Sequence, residues 1–178
     1  MKNSSKTALS GMAVALGTVV MLLASAIPTL EYAIPAFAGF MVLFILVELD
    51  VGWAAGVYAA TSLLGIFIVP NKEAVGMYVA LFGLYPIVKF YVDRLPKAVG
   101  YIIKSVFFLI MAVSVYYVMI KFFGIAAELL EDMNKFTLPL LLVLGLAAFL
   151  VYDCAMSLIA VKYKHRFHKY VVRMFKRK

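Results

Sequence analysis

Three charged side chains stand well inside apolar stretches of this sequence: Lys89, Lys104 and Asp153. A charge held in hydrocarbon is costly alone, so such residues face the interior of a bundle and find partners there. An acid set between two amines fits two chemistries, a relay for protons or ions and an ion pair that locks helices together. The pattern favours the lock. A transport pathway would need polar residues through the other half of the membrane, and these apolar runs carry none there. Depth follows from the helical rise: Lys104 lies about 10 Å beyond Lys97 and Asp153 about 13 Å before Lys162. Lys89 is one turn from Asp93. The overlap predicts that Asp153 pairs with Lys104 or Lys89, with snorkelling to the nearer surface as the alternative for Lys89.

A second group of polar residues lies in the connections between apolar runs. Glu31 and Tyr32 follow the first run, Asn71, Lys72 and Glu73 follow the third, and Glu128, Glu131 and Asp132 precede the last. Tyr78 stands just inside the fourth run. Both charge signs, an amide and aromatic rings at one mouth of a bundle are what a small-molecule site needs. Glu31, Tyr32, Asn71, Lys72, Glu73 and Tyr78 are therefore the candidate substrate-binding residues. The plainer alternative is that short polar loops simply join helices.

Enzymatic chemistry finds no support. The sequence has no HExxH, no GxSxG and no P-loop. Ser105, Ser114, Ser157 and Cys154 have no histidine within the apolar runs to activate them. His165 and His168 sit among cations near the end of the chain, with nothing beside them to complete a metal site. A single cysteine leaves no internal disulfide. No cofactor, no metal and no catalytic role are expected.

The elements that must position these residues are membrane spans. Of 178 residues, 66% are hydrophobic and 15% charged, and the mean hydropathy is +1.02. A soluble domain of this size has too little interior to hide that much apolar surface, so the lipid bilayer must be its solvent. Six runs approach or reach the length that crosses hydrocarbon as a helix, at about 8–27, 33–48, 51–69, 74–92, 99–123 and 136–161. The second is short for a full crossing. The expected fold is an all-α integral membrane bundle of six transmembrane helices. With the N-terminus inside, Lys2, Lys6, Arg94, Lys97 and the tail fall on the cytoplasmic side, as the positive-inside rule requires. Both termini are then cytoplasmic, in the cell membrane.

The net charge of +8 does not indicate nucleic acid, because eight of the seventeen Lys and Arg lie in 162–178. Tyr163, Phe167, Tyr170, Val171 and Met174 recur among them at steps of three and four. That is the pattern of a basic amphipathic C-terminal helix lying on an anionic leaflet. At the other end, Lys2, Lys6, the apolar run and Ala24-Ser25-Ala26 also fit a signal peptide with its cleavage site. A retained first helix and a cleaved one both stand.

Lipid gives helices no hydrophobic reason to associate, and small residues that allow close approach supply one. Thr7, Gly11, Ala15 and Thr18 form such a stripe on the first helix, and Gly52, Gly56 and Ala60 on the third. The first stripe, in Thr7-Ala8-Leu9-Ser10-Gly11-Met12-Ala13-Val14-Ala15-Leu16, together with the length and six-span layout, resembles the substrate-binding S component of energy-coupling factor (ECF) transporters. In that family an Ala-x-x-x-Ala-type face docks on a transmembrane T subunit. The resemblance gives Gly11 and Ala15 that role, with Gly in place of the first Ala. It further implies a small-molecule solute captured near the outer side and separate ATPase subunits as the energy source. No signature for a particular vitamin is present, nor the N-terminal His-rich segment of a nickel or cobalt member. The layout is also similar to that of MreD-type scaffolding proteins of cell-wall synthesis, which implies a structural membrane protein with a permanent partner and no pocket.

Overall fold

A computed structural model describes residues 3–27, 30, 32–118, 121 and 137–166. Among them are six helices: α1 (Asn3–Ala26), α2 (Ala33–Glu48), α3 (Val51–Ile68), α4 (Lys72–Val92), α5 (Lys97–Val118) and α6 (Thr137–Arg166). Five of these, all but α2, are long and apolar enough to cross a membrane. The 16 residues of α2 rise only about 24 Å, short of a hydrocarbon core about 30 Å thick. Phe67 is 78% exposed and Val151 70% exposed on the outside of the bundle. Side chains of that kind, spread along five long helices, identify a multi-pass membrane protein.

The boundaries differ from the sequence expectation in informative places. Helix α1 starts at Asn3, five residues early, because a polar first turn is no obstacle to a helix and Thr7 Oγ1 donates to Asn3 O at 3.1 Å. Helix α6 runs unbroken to Arg166, so Lys162 to Arg166 continue the last span instead of opening a separate tail helix. The rest of the proposed tail, 167–178, lies outside the described residues, as do Glu31, Glu128, Glu131 and Asp132.

Side-chain chemistry sets the turns. The carboxylate of Asp50 accepts from Trp53 N at 3.1 Å and caps the start of α3. Asn71 does the same for α4, its Oδ1 accepting from Ala74 N at 3.0 Å. The ammonium of Lys72 folds back onto the end of α3, donating to Ile66 O at 2.8 Å and Val69 O at 2.9 Å. It thereby satisfies carbonyls that the helix end leaves open.

Helix α4 contains a π-helical turn, Tyr78–Phe82, in which Gly83 N donates to Tyr78 O at 2.8 Å. Pro86, near the start of the next helical stretch, has no N–H to give the preceding turn. The hydroxyl of Tyr58 on α3 donates to Val79 O at 2.7 Å and so satisfies a carbonyl within the widened turn. Gly83 is obligatory there: a Cβ would lie 2.8 Å from both the Tyr58 and Tyr78 rings.

Two cores result. One joins α1, α2, α3 and the start of α4 through small and aliphatic residues, among them Ala13, Met21, Ala24, Ala38, Ile45, Ala54 and Val57. The other joins α2, α4, α5 and α6 and is aromatic: Tyr85, Phe108, Phe149 and Tyr152, with Leu43, Leu81 and Met156. The contacts also order the ends. Lys89, Lys104 and Asp153 meet, and Tyr163 Oη donates to Glu48 Oε1 at 2.5 Å. The starts of α1 and α5 and the ends of α2, α4 and α6 therefore share one end of the bundle, hereafter the first end. At the opposite end, Asn71 N donates to Ser25 Oγ at 3.2 Å, joining the end of α1 to the start of α4.

Candidate functional site

The buried charges converge. Asp153 on α6 lies between two ammonium groups, Lys89 of α4 and Lys104 of α5. Lys104 Nζ reaches both carboxylate oxygens, at 3.1 and 3.0 Å, and Lys89 Nζ is hydrogen-bonded to Oδ1. Tyr85 Oη donates to the same Oδ1 at 2.5 Å. A second carboxylate, Asp93, takes Lys89 at 3.1 Å and Lys104 at 2.6 Å. Two cations and two anions make the group neutral. The side chains of Lys89, Lys104 and Asp153 are each under a tenth exposed, whereas that of Asp93 is 46% exposed. The cluster is thus sealed on the bundle side and open to the first end through Asp93 alone among its members.

Local structure explains the convergence. Tyr85, Lys89 and Asp93 are spaced by four, so one stripe of α4 carries all three. The turn at 93–96 sends α5 back alongside, which brings Lys104 to the depth of Lys89. Asp153 arrives from α6 at the same level, beside Phe149 and Tyr152, whose rings pack on Tyr85 at centroid distances of 4.6 and 6.0 Å. Asp93 and Tyr85 were missing from the candidate residues read from the sequence. Their four-residue spacing to Lys89 was the signal that would have found them. Chemically, a fully paired neutral quartet holds three helices in register. It also provides a chain of exchangeable protons between Asp93 and Tyr85.

The candidate substrate residues are scattered by comparison. Asn71 and Lys72 cap the ends of α4 and α3, as described. Glu73 lies in the first turn of α4, half-buried, where a carboxylate suits the positive end of the helix. Tyr32 is exposed just before α2. Tyr78 is buried in the core against Tyr58 and Gly83. Among the described residues, no three His, Cys, Asp or Glu side chains come together.

The stripe on α1 divides. Thr7, Gly11 and Ala15 are exposed, and among the described residues a Cβ on Gly11 would meet nothing within 4 Å. Thr18 is buried instead, its hydroxyl bonded to Val14 O at 2.9 Å, because α1 packs closely on α3 at this level, where Gly17 meets Thr61. On α3, Gly52 and Gly56 are exposed and Ala60 is half-buried. Both helices therefore present small residues outwards while packing on each other through Gly17 and Thr61, where a Cβ on Gly17 would lie 3.3 Å from Thr61 Cγ2.

A groove of about 380 Å³ opens between α1, α2 and α6 near the first end, walled among the described residues by apolar side chains and Tyr163. No family model matches this sequence, and no curated protein or solved structure matches it either.

Proposed function

We propose that this chain is a non-catalytic membrane subunit that docks on another membrane protein through α1. In its finer form it is the solute-capturing S component of an ECF-type uptake transporter, set in the cell membrane with both termini cytoplasmic. A T subunit would receive the α1 face, and separate ATPase subunits would supply the energy. The observation that carries the reading is the outer face of α1: Thr7, Gly11 and Ala15 are exposed, and no described residue lies near a Cβ on Gly11. Internal packing is the ordinary use of such a stripe, and here the same helix packs inwards through a different face, Ala13, Gly17, Met21 and Ala24. Small residues on the outer face let a partner helix approach closely enough for dispersion and Cα–H contacts to hold it.

A structural, MreD-like role is the second reading. What favours it is that Asn71 and Lys72 serve as helix caps and that Tyr78 is buried. Capture of the tagged protein in mild detergent, with mass spectrometry of what co-purifies, separates the two. The transporter reading expects a T subunit and paired ATPases, lost on Gly11→Leu or Ala15→Leu. Recovery of cell-wall or division proteins through the same face moves the assignment to the scaffold. Recovery of partners that both substitutions leave in place removes α1 as the docking element.

A further inference from the structure

We infer that the groove between α1, α2 and α6 is a binding site for one anionic phospholipid, an acyl chain lying in the groove and the headgroup held by Lys6, Lys162 and Lys164. This does not depend on the docking function proposed above.

The walls come from three helices. Leu9, Ala13 and Leu16 line one side, Phe40 and Phe44 the floor of α2, and Ala160 the α6 side. Its volume of about 380 Å³ is in the range of small-ligand sites, about 300–1,000 Å³. Among the described residues nothing polar lines it except the tyrosine at its end, so an apolar occupant is stabilised there. Met12 and Met41 also face it, and flexible thioethers suit a chain that adopts many conformers.

Length and position argue for an acyl chain over a helix. From Leu9 to Leu16 the groove runs seven residues of α1, about 10 Å. That fits within one leaflet, about 15 Å of hydrocarbon, and is only two turns of a partner helix. A second span packing here would need a seam along the bundle, and the groove ends halfway.

The charges at its open end supply the headgroup. Lys6 is three residues before Leu9 and seven before Ala13, so it continues the α1 wall towards the first end. Lys162 follows Ile159 by three, and Lys164 follows Ala160 by four, which sets both one turn beyond the α6 wall. Lys162 and Lys164 are exposed. Glu48, next after Val47, has its Oε1 engaged by the Tyr163 hydroxyl at 2.5 Å. Three cations around one engaged carboxylate attract a phosphate carrying net negative charge. Phosphatidylethanolamine offers the same chains without that net charge, which makes headgroup preference the discriminating property.

The test is native mass spectrometry of the full chain released from bilayers of equimolar phosphatidylglycerol and phosphatidylethanolamine. One phospholipid per chain is expected, with phosphatidylglycerol favoured roughly fivefold or more, the effect of about one surface lysine. Ala160→Phe fills the groove and should remove the retained lipid. Leu16→Trp, at an exposed rim position, should do the same should the first substitution impair folding. Replacing Lys6, Lys162 and Lys164 together by Gln should leave a lipid bound and equalise the two headgroups. Leu63→Phe, on the exposed face of α3, should change nothing. Absence of retained lipid in the wild type, survival of the lipid in both filled variants, or no headgroup preference overturns the inference. So does a dimer that Ala160→Phe dissociates, since a second copy would then be the occupant.

Discussion

Helices α1 to α3 hold together by fit, and α5 and α6 are held to α2 and α4 by a few strong contacts. In the apolar stretches of α1 and α3, 39% and 28% of the residues are buried, against 17% in each of α5 and α6. Where α1 meets α3, a Cβ on Gly17 would sit 3.3 Å from Thr61 Cγ2, so backbones approach closely and small residues make the seam. Where α6 meets α4 and α5, the seam is narrow and carries rings and charges: Phe149 on Tyr85 and Phe108, and Asp153 on Lys89 and Lys104. Lipid tails are as apolar as leucine, so neither seam gains from leaving solvent. A broad seam sums many weak dispersion contacts. A narrow one needs groups that have no acceptable alternative in hydrocarbon, and buried ions are the extreme case.

The difference is tested most severely at Asp153. Asp153→Ala leaves Lys89 and Lys104 to share Asp93, and one buried cation loses its counter-charge. Breaking a buried pair from one side costs about 3–5 kcal/mol in soluble proteins. A loss near the lower figure, about 3 kcal/mol, is expected in denaturant unfolding from detergent micelles. The double substitution Lys104→Met with Asp153→Leu restores neutrality through Lys89 and Asp93, and should recover most of that loss. If the single substitution is silent, the charges are not what binds α6, and the ring contacts carry the seam alone.

Gly39 sits where the two halves join, and the expected effect is the next in size. A Cβ there would meet Phe82 O at 2.5 Å and the Tyr152 hydroxyl at 2.6 Å, one of them backbone that cannot turn aside. Gly39→Ala should cost about 1–3 kcal/mol, the usual penalty of overpacking. Tyr152 donates to Ala36 O at 3.2 Å, so displacing it also loosens α2 from α6. Tyr85→Phe removes only the hydroxyl given to Asp153 and keeps the ring stack. About 1 kcal/mol is expected in the same unfolding assay, in keeping with hydrogen bonds measured inside membrane bundles. A cost equal to that of Asp153→Ala would mean that the hydroxyl, and not the lysines, anchors the carboxylate.

The two halves were unequally legible in the sequence. Hydropathy located all six helices, because an apolar run of about twenty residues, bounded by Pro70-Asn71 or Asp93-Arg94, has the length of a membrane crossing. It also separated α2 as short, which the structure repeats at 16 residues. Depth along a helix axis placed Lys89, Lys104 and Asp153 at one level, since rise per residue is fixed. Rotation about the axis was less accessible. That is why Tyr78 reads as a mouth residue in the sequence and is buried in the structure. The π turn beginning at Tyr78 rotates everything after it, and no local composition announces such a turn. Capping by Asn71 and Lys72 was hidden for a related reason: polar residues after a span suit ligand binding and helix ends equally well.

The smallest expected effect on stability falls on the outer face of α1. With no described residue within 4 Å of a Cβ there, Gly11→Ala should add no clash, and it removes backbone freedom from the unfolded chain. A helix-interior Gly costs about 1 kcal/mol relative to Ala, so the variant should match the wild type or exceed it by up to that amount. Gly39→Ala is the same chemical change with the opposite sign, and the pair separates a face that packs within the chain from one that does not. Gly11→Leu should also leave unfolding unchanged while abolishing capture of a partner, because a larger side chain holds a neighbouring helix away without disturbing its own. Should Gly11→Leu destabilise the isolated chain, the α1 face packs against part of this same protein, and the open space beside Gly11 is not a docking surface.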